Sequence, residues 1–240
     1  MTLPVFRAFG DRALTVSFGE TIDAATNQVV IRLAEALQAA PFDGFEEAVP
    51  TYRSLLIVYD PLQISGAEVE RIVADRLSQA QAALRPARRW HIPVHYGGEC
   101  ALDLESLAAE KDMSPQELVA LHAGAEYRVF MIGFAPGFAY LGGLPDRLHV
   151  PRLPKPRQRV PAGAIGIGGQ QASINSVAGP SGWRFVGGTP VRAFDPGRAA
   201  PFLFAAGDLV RFVPVTEAEA VSLARRVARG EDVVTPEAVA

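Results

Sequence analysis

Aromatic residues surround a Pro-Gly pair in the middle of the chain, in residues 134–140 (FAPGFAY). Pro136-Gly137 is a turn signal, because proline presets the first turn position and glycine accepts the positive φ of the second. Such a turn can present backbone N–H groups at the wall of a pocket. The alternative is a tight hairpin anchored by core aromatics, and the chemistry of these residues alone leaves both open.

A basic loop follows at residues 151–161 (PRLPKPRQRVP), in which prolines separate four cations. Prolines lower the entropy cost of holding the arginines in place. Arginine forks bind carboxylate or phosphate with two parallel hydrogen bonds. The alternative is a solvated basic loop without a ligand.

Glycines dominate residues 162–171 (AGAIGIGGQQ). This run is not a P-loop, because no Gly-Lys-Ser/Thr follows, and it opens no helix as a dinucleotide fingerprint would. We expect a strand with glycines where a backbone or ligand comes close. Gln171, at its end, is a candidate reader of an amide group.

The histidines are His91, His95, His122 and His149, and none forms an H-E-x-x-H or similar metal pattern. We therefore expect no metal site. His122 lies near the end of a predicted helix, shortly before the strand that leads to the Pro-Gly loop, and could act as a general acid or base. The alternative is a hydrogen-bonded packing histidine. The single cysteine, Cys100, lacks a nucleophile signature.

Composition excludes several classes of protein. The 240 residues carry a net charge of -3, which gives no electrostatic reason to bind nucleic acid or an anionic membrane. One cysteine cannot form an internal disulfide. Residues 1–18 lack the apolar stretch of a signal peptide, and no run approaches the roughly 18 apolar residues of a membrane span. Together these features favour the cytoplasm.

Strand and helix patterns alternate in the first third of the chain. Strands are predicted at residues 13–18 and 54–59, and apolar residues at helical spacing follow Ile22. A capping box at residues 65–68 opens a second helix. We expect an α+β protein whose first domain, residues 1–84, is a small α/β sandwich, an open antiparallel sheet with two helices on one side. Residues 84–89 are the predicted linker.

The second domain is predicted to span residues 90–240. It begins with a strand at 90–96 and a short helix at 103–110, and a capping box at 114–117 opens another helix. Short strands then predict a closed or nearly closed barrel, at residues 127–132, 164–167, 172–177, 184–186 and 209–213. An amphipathic helix over 216–230 ends the chain.

The same motifs resemble those of the 5-oxoprolinase B-subunit family, also known as allophanate hydrolase subunit 1, which includes an inhibitor of a sporulation histidine kinase. The resemblance covers nearly the whole chain. It rests on residues 10–14 (GDRAL), 49–56 (VPTYRSLL), 133–144 (GFAPGFAYLGGL), 160–169 (VPAGAIGIGG) and 188–190 (GTP).

This resemblance implies a cyclophilin-like β-barrel for the second domain. It also implies two partners of the 5-oxoprolinase complex, a second cyclophilin-like barrel protein of the C type and a third protein of the A type. The assembled enzyme would use ATP to open the lactam of 5-oxo-L-proline to L-glutamate. Because this sequence has no ATP-binding motif, we expect the assembled complex, and not this chain alone, to bind ATP.

The resemblance also assigns site residues by position. His122, Arg152 and Arg157 are the expected catalytic residues. The expected substrate-binding residues are Pro136, Gly137, Phe138, Tyr140, Gly163 and Gln171. We expect Arg152, Arg157, Phe138, Tyr140, His122 and Gln171 to share one pocket wall.

The sequence departs from the family at three places, the first of which is residues 100–102 (CAL), where an aromatic followed by Gly-Pro is usual. Residues 172–176 (ASINS) replace a usual Thr-Gly-Ile-Tyr-Pro, and residues 179–182 (GPSG) replace Ser-Pro-Gly-Gly. Substrate specificity would differ from the family norm if these positions touch substrate. Two alternative functions stay open, a regulator that inhibits a sensor histidine kinase and a carboxyltransferase-type subunit in urea or allophanate metabolism.

Overall fold

The computed structural model describes residues 4–79 and 87–239. The chain divides into two compact units, Met1–Arg85 and Pro86–Ala240. Residues 84–86 of the predicted linker lie outside the described residues, whereas Arg88 and Arg89 belong to the first strand of the second unit. Independent folding of the predicted domains, residues 1–84 and 90–240, stays a prediction.

The first unit combines a four-stranded antiparallel sheet with two helices. The elements are β1 (Val5–Ala8), β2 (Ala13–Ser17), α1 (Ala24–Ala39), β3 (Phe45–Pro50), β4 (Ser54–Tyr59) and α2 (Gly66–Gln79), and the strand order is β1-β2-β4-β3. Leu55 and Ile57, two residues apart on β4, join Val30 and Leu33 of α1 and Val69 of α2 in one buried cluster. Strand and helix periodicity therefore place one face of each element in a common core.

The second unit carries most of the strands. Its elements are β5 (Ala87–Val94), α3 (Leu104–Glu110), α4 (Pro115–Gly124), β6 (Glu126–Ile132), β7 (Ala139–Gly142), β8 (Arg157–Val160), β9 (Ala164–Gly168), β10 (Gln171–Ile174), β11 (Gly179–Ser181), β12 (Arg184–Gly188), β13 (Leu209–Pro214), α5 (Glu217–Ala228) and β14 (Glu237–Val239). One sheet has the order β12-β9-β10-β7-β6-β13-β5-β14, and β11 pairs with β8 in a second. The mixed helix-and-sheet class predicted from the sequence is confirmed.

The predicted closed barrel is not confirmed in the described residues. The eight-stranded sheet is open, with β12 and β14 at its edges. The unpredicted strand β14 pairs with the first residues of β5, so that edge of β5 is already occupied there. An isolated bridge, in which His95 and Gly188 exchange two backbone hydrogen bonds of 2.9 Å, joins the chain after β5 to the end of β12.

Capping boxes fix the starts of α2, α4 and α5. The predicted boxes are confirmed: Ser65 and Glu68 exchange hydrogen bonds before α2, and Ser114 and Glu117 do so at α4. Thr216 and Glu219 form a third box at α5. These reciprocal bonds satisfy backbone N–H groups that the first helical turn leaves unpaired.

No helix in the described ranges 4–79 and 87–239 combines the length and the apolar character that crossing a membrane requires.

Candidate functional site

A pocket of about 260 Å³ opens in the second unit, where the β6–β7 connection meets the segments around β8 and β11. Its lining residues are Phe134, Phe138, Tyr140, Arg152, Pro156, Pro180, Ser181, Gly182 and Trp183. Both loops that the sequence singled out therefore contribute to one cavity, the Pro-Gly loop through its aromatics and the basic loop through Arg152.

Three aromatic rings form the inner wall. The Phe138 ring lies 4.7 Å from that of Tyr140 and 6.0 Å from that of Trp183, measured between ring centroids. Both pairs meet edge to face, the arrangement that the quadrupoles of aromatic rings favour. Phe138 and Trp183 are 2% and 5% exposed, so this wall is packed and not a loose surface cluster.

Arg152 supplies the positive charge of the pocket. Its guanidinium carbon lies 5.0 Å from the centre of the Trp183 ring, within the range of a cation–π contact. The backbone N–H of Leu153 donates to the carbonyl oxygen of Gly182 at 2.6 Å, which ties the basic loop to the residue before Trp183. A guanidinium over an indole can still offer N–H groups to a planar anion.

Glycine makes room for this contact on the neighbouring strand. A Cβ atom on Gly168 would lie 2.9 Å from the Trp183 ring and 3.3 Å from Cγ of Arg152. A Cβ atom on Gly166 would lie 2.7 Å from Oγ of Ser173 and 3.0 Å from the Phe185 ring. The glycines of this strand do mark a close approach, but side chains make it, not the backbone or ligand that the sequence predicted.

The Pro-Gly turn has the expected geometry. The N–H of Phe138 donates to the carbonyl of Ala135 at 3.0 Å, and Gly137 adopts a φ of 71°. A Cβ atom on Gly137 would lie 2.8 Å from Cβ of Phe194, so glycine is required here for both its φ and its size. Pro136 is exposed and does not line the pocket. The turn supports the aromatic wall from behind.

Arg157 does not line the pocket, contrary to the expectation that both arginines share its wall. Its two terminal nitrogens donate to the carboxylate of Asp103 at 2.9 and 2.7 Å. The same carboxylate accepts the N–H of Phe185 at 2.7 Å, and Asp103 is 4% exposed. A buried carboxylate requires such partners, so Arg157 works here as a structural counter-ion.

His122 is also absent from the pocket. It is fully buried, its ring stacks on Phe212 at 4.8 Å, and its Nδ1 atom shares a hydrogen bond of 2.8 Å with the hydroxyl of Tyr96. Burial lowers the pKa of His122 to about 3, so the imidazole is neutral at physiological pH. The structure therefore corresponds to the packing alternative for His122.

Gly163 and Gln171 lie elsewhere on the glycine-rich hairpin. Gly163 is buried with a φ of 81°, and a Cβ atom there would lie 2.3 Å from the carbonyl oxygen of Thr189. Gln171 opens β10 opposite Gly168 and does not line the pocket. Of the nine expected site residues, the structure brings Phe138, Tyr140 and Arg152 together.

Sequence reasoning missed residues that approach from far along the chain. Trp183 and residues 180–182 lie at the end of β11, more than 40 positions after Phe138. The departure from the family pattern at residues 179–182 was the available signal, because three of these four positions line the pocket. Phe134, inside the Pro-Gly loop, and Pro156, inside the basic loop, were the other omissions.

Tyr140 is the titratable hydroxyl of the pocket. Burial raises its pKa, and the positive charge of Arg152 acts in the opposite direction. The phenol is therefore protonated at neutral pH and can donate a hydrogen bond to a ligand. Within the described residues, no cluster of three or more histidine, cysteine, aspartate or glutamate side chains is placed to hold a metal ion.

Comparisons with known proteins agree over most of the chain. The family described as "Carboxyltransferase domain, subdomain C and D" matches residues 4–204. The 5-oxoprolinase B subunit of Bacillus subtilis (strain 168) is 40% identical over 219 residues, which cover 87% of this chain and 91% of that relative. Both matches extend across the two units.

Two solved structures share the fold. The crystal structure of TTHA0988 aligns with a TM-score of 0.77 and 38% identity over 85% of this chain and 40% of that chain. The urea carboxylase of Kluyveromyces lactis aligns with a TM-score of 0.81 over 98% of this chain and 24% of that chain, at 21% identity. In both cases this chain spans less than half of a longer polypeptide.

Replacement of Arg157 by Met tests its structural role. We expect the free energy of unfolding to fall by about 3 kcal/mol, because Asp103 is left buried without its counter-ion. In an Asp103→Asn background, the same replacement should cost less than about 1 kcal/mol. Urea denaturation followed by tryptophan fluorescence suits this measurement, because Trp90 and Trp183 both lie in the second unit. Arg159→Met, two residues along β8 and exposed, is the control, and equal losses for Arg157→Met and Arg159→Met would contradict this role.

Titration of His122 gives a second test. Its pKa is lowered on folding, so between about pH 6.5 and about 3 the unfolded chain binds a proton that the folded chain does not. The contribution of neutral His122 to the free energy of unfolding is fully present above the pKa of this histidine in the unfolded chain. It is lost as the pH falls below that pKa. We compare the unfolding free energy of the wild type with that of His122→Gln as the pH is lowered. Below about pH 6, the wild-type value should fall relative to the variant's by about 1.4 kcal/mol per pH unit. A difference that is independent of pH would show that His122 is accessible to protons in the folded state.

Proposed function

Because this chain belongs to the 5-oxoprolinase B-subunit family, we propose that it is one subunit of an enzyme that uses ATP to open the lactam of 5-oxo-L-proline, releasing L-glutamate. The observation that carries the proposal is the small aromatic pocket in which Arg152 lies on Trp183. A compact ring with one carboxylate matches such a pocket, since aromatic walls accept the ring and a guanidinium fork binds the carboxylate.

The chemistry of the reaction explains the need for ATP. A lactam is an amide, and resonance makes its carbonyl carbon a poor electrophile. Transfer of the terminal phosphoryl group of ATP to the carbonyl oxygen makes that carbon reactive toward water. Attack by one water molecule and breakage of the ring C–N bond then give γ-glutamyl phosphate. A second water molecule hydrolyses this acyl phosphate to L-glutamate and phosphate, and ADP is the product of the first transfer. In this scheme Arg152 holds the substrate carboxylate or the transferring phosphoryl group.

Partner proteins complete the site in this proposal. The pocket of about 260 Å³ is smaller than the 300 to 1,000 Å³ typical of sites for larger ligands, and the glycine-rich hairpin packs against Trp183 and Thr189. We therefore assign ATP to the assembled complex, with a second cyclophilin-like barrel protein of the C type and a third protein of the A type. The cyclophilin-like barrel stays a proposal for the second unit, whose eight-stranded sheet is open and whose isolated His95–Gly188 bridge lies outside the named strands. The complex would work in the cytoplasm, where ATP is available.

A carboxyltransferase activity is the second candidate, favoured by the family description and by the fold shared with urea carboxylase. The two candidates differ in their second substrate, since a carboxyltransferase needs a carboxylated biotin and releases no glutamate. Incubation of the assembled complex with 5-oxoproline and ATP, with and without a carboxybiotin donor, separates them. No specific contact in the pocket favours the third candidate, inhibition of a sensor histidine kinase.

Reconstitution tests the proposed function directly. We expect the purified chain alone to release no glutamate from 5-oxoproline and ATP, and the complex with both partners to release it, because the chain has no nucleotide-binding loop of its own. Glutamate is measured by an enzyme-coupled assay and ADP in parallel. ATP-dependent turnover by the single chain would overturn the shared-site proposal, and no turnover by the full complex would overturn the lactam-opening one.

Replacement of Arg152 by Lys tests the anion site. Lysine keeps the charge but loses the planar fork and the stack on Trp183, so we expect kcat/KM of the assembled complex to drop by about 10- to 100-fold. Arg159→Lys is the matched control, because Arg159 is an exposed arginine of β8 that does not line the pocket. If Arg152→Lys retains wild-type kcat/KM in an intact complex, the basic loop is only solvated and carries no ligand.

A further inference from the structure

Phe134 combines two costly features at one position. Its φ is +69°, in the left-handed region where bulky side chains are rare, and its side chain is 75% exposed although it is large and apolar. Glycine would satisfy this backbone conformation without strain and would expose no apolar surface. Strained residues at the rim of a cavity are typical of functional sites, where the surrounding structure holds them in place.

The surrounding loop imposes this conformation. The N–H of Gly133 donates to the carbonyl of Phe138 at 3.1 Å, which closes the loop immediately before Phe134. After it, the N–H of Phe138 donates to Ala135, and Gly137 packs on Phe194 and Ala193. The backbone on both sides of Phe134 is therefore fixed, and the left-handed residue aims its side chain at the pocket that it lines.

The ring of Phe134 adds an outer wall to the pocket. It meets the Phe138 ring edge to face, with 5.7 Å between centroids and 75° between planes. Phe138 is almost fully buried, so Phe134 extends the packed aromatic wall outward into solvent. With Arg152 on Trp183, the pocket then has a cation at one side and an uncovered aromatic ring at its rim.

We propose that Phe134 is a positioning and specificity-determining residue of this pocket, whose ring covers one face of the substrate ring while Arg152 binds the substrate carboxylate. The proposal rests on the proposed function and deepens it by naming the residue that distinguishes a cyclic substrate from an open-chain one. An open-chain amide such as glutamine carries a similar carboxylate and presents no ring face for Phe134 to cover. Loss of the ring contact should therefore weaken binding of 5-oxoproline and leave binding of glutamine unchanged.

The variants Phe134→Gly and Phe134→Leu, assayed in the assembled complex, test this inference. Phe134→Gly removes the ring and also the backbone strain, so its Tm should equal or exceed that of the wild type while KM for 5-oxoproline rises about 10-fold and kcat changes less. Competitive inhibition by glutamine should be unaffected. Phe134→Leu, which keeps an apolar side chain, should recover part of the lost affinity. Phe202→Ala is the matched control, because Phe202 is a 50% exposed phenylalanine of the same unit that does not line the pocket.

The outcomes distinguish failure of the proposed function from failure of the role proposed for Phe134. If the wild-type complex does not turn over 5-oxoproline, the proposed function falls and this inference falls with it. If the wild type turns over and Phe134→Gly keeps its KM, only the role of Phe134 is overturned. If Phe134→Gly keeps its KM in the saturated complex but needs more of the partner proteins to reach full activity, Phe134 is an interface residue, which also overturns the inference. A rise in KM equal to that of Phe202→Ala counts against it too.

Discussion

The pocket depends on the hydrogen bonds of the buried Asp103 carboxylate. It accepts two hydrogen bonds from Arg157 of β8 and one from the N–H of Phe185 of β12, while the N–H of Asp103 itself donates to the carbonyl of Phe185 at 2.8 Å. A carboxylate in this position must keep these partners, since burial without them is costly. Three segments distant in sequence are thereby fixed at one point.

Trp183 connects the buried Asp103 carboxylate to the pocket. It lies two residues before Phe185, and its carbonyl oxygen accepts a bond of 3.4 Å from Arg157. Its indole forms the pocket wall and carries Arg152. Two arginines of the basic loop therefore have different roles: Arg157 stabilises the pocket wall through Asp103, and Arg152 places its positive charge at the cavity. This difference explains why one is paired with a buried acid and the other lies on an aromatic ring.

Local signals in the sequence predicted local structure well. Capping boxes predicted the starts of α2 and α4, and short apolar runs predicted β4, β6 and β13. The Pro-Gly pair predicted a turn with positive φ at Gly137, which the structure has. Each of these features is determined within a few residues, so neighbours in sequence suffice to predict it.

Features that depend on distant segments were not predictable in this way. His122 and Arg157 have the chemistry of catalytic residues, but their surroundings come from Phe212 and Asp103, which no local pattern links to them. Trp183 reaches the pocket through the pairing of β11 with β8, and β14 occupies the edge of β5 on which barrel closure would depend. Arg152 reaches the pocket because the bond between Leu153 and Gly182 brings its loop to that tryptophan.

In the proposed site 5-oxoproline binds in the pocket that Trp183 lines, and the indole N–H signals of this chain test this binding most directly. The chain has two tryptophans, and Trp90 is buried with its indole N–H donated to Asp208 at 3.0 Å. With ¹⁵N-tryptophan in this chain only, titration of the assembled complex with 5-oxoproline should shift the Trp183 signal and leave that of Trp90 in place. A Trp183 signal that does not move at substrate concentrations that saturate turnover would contradict the account.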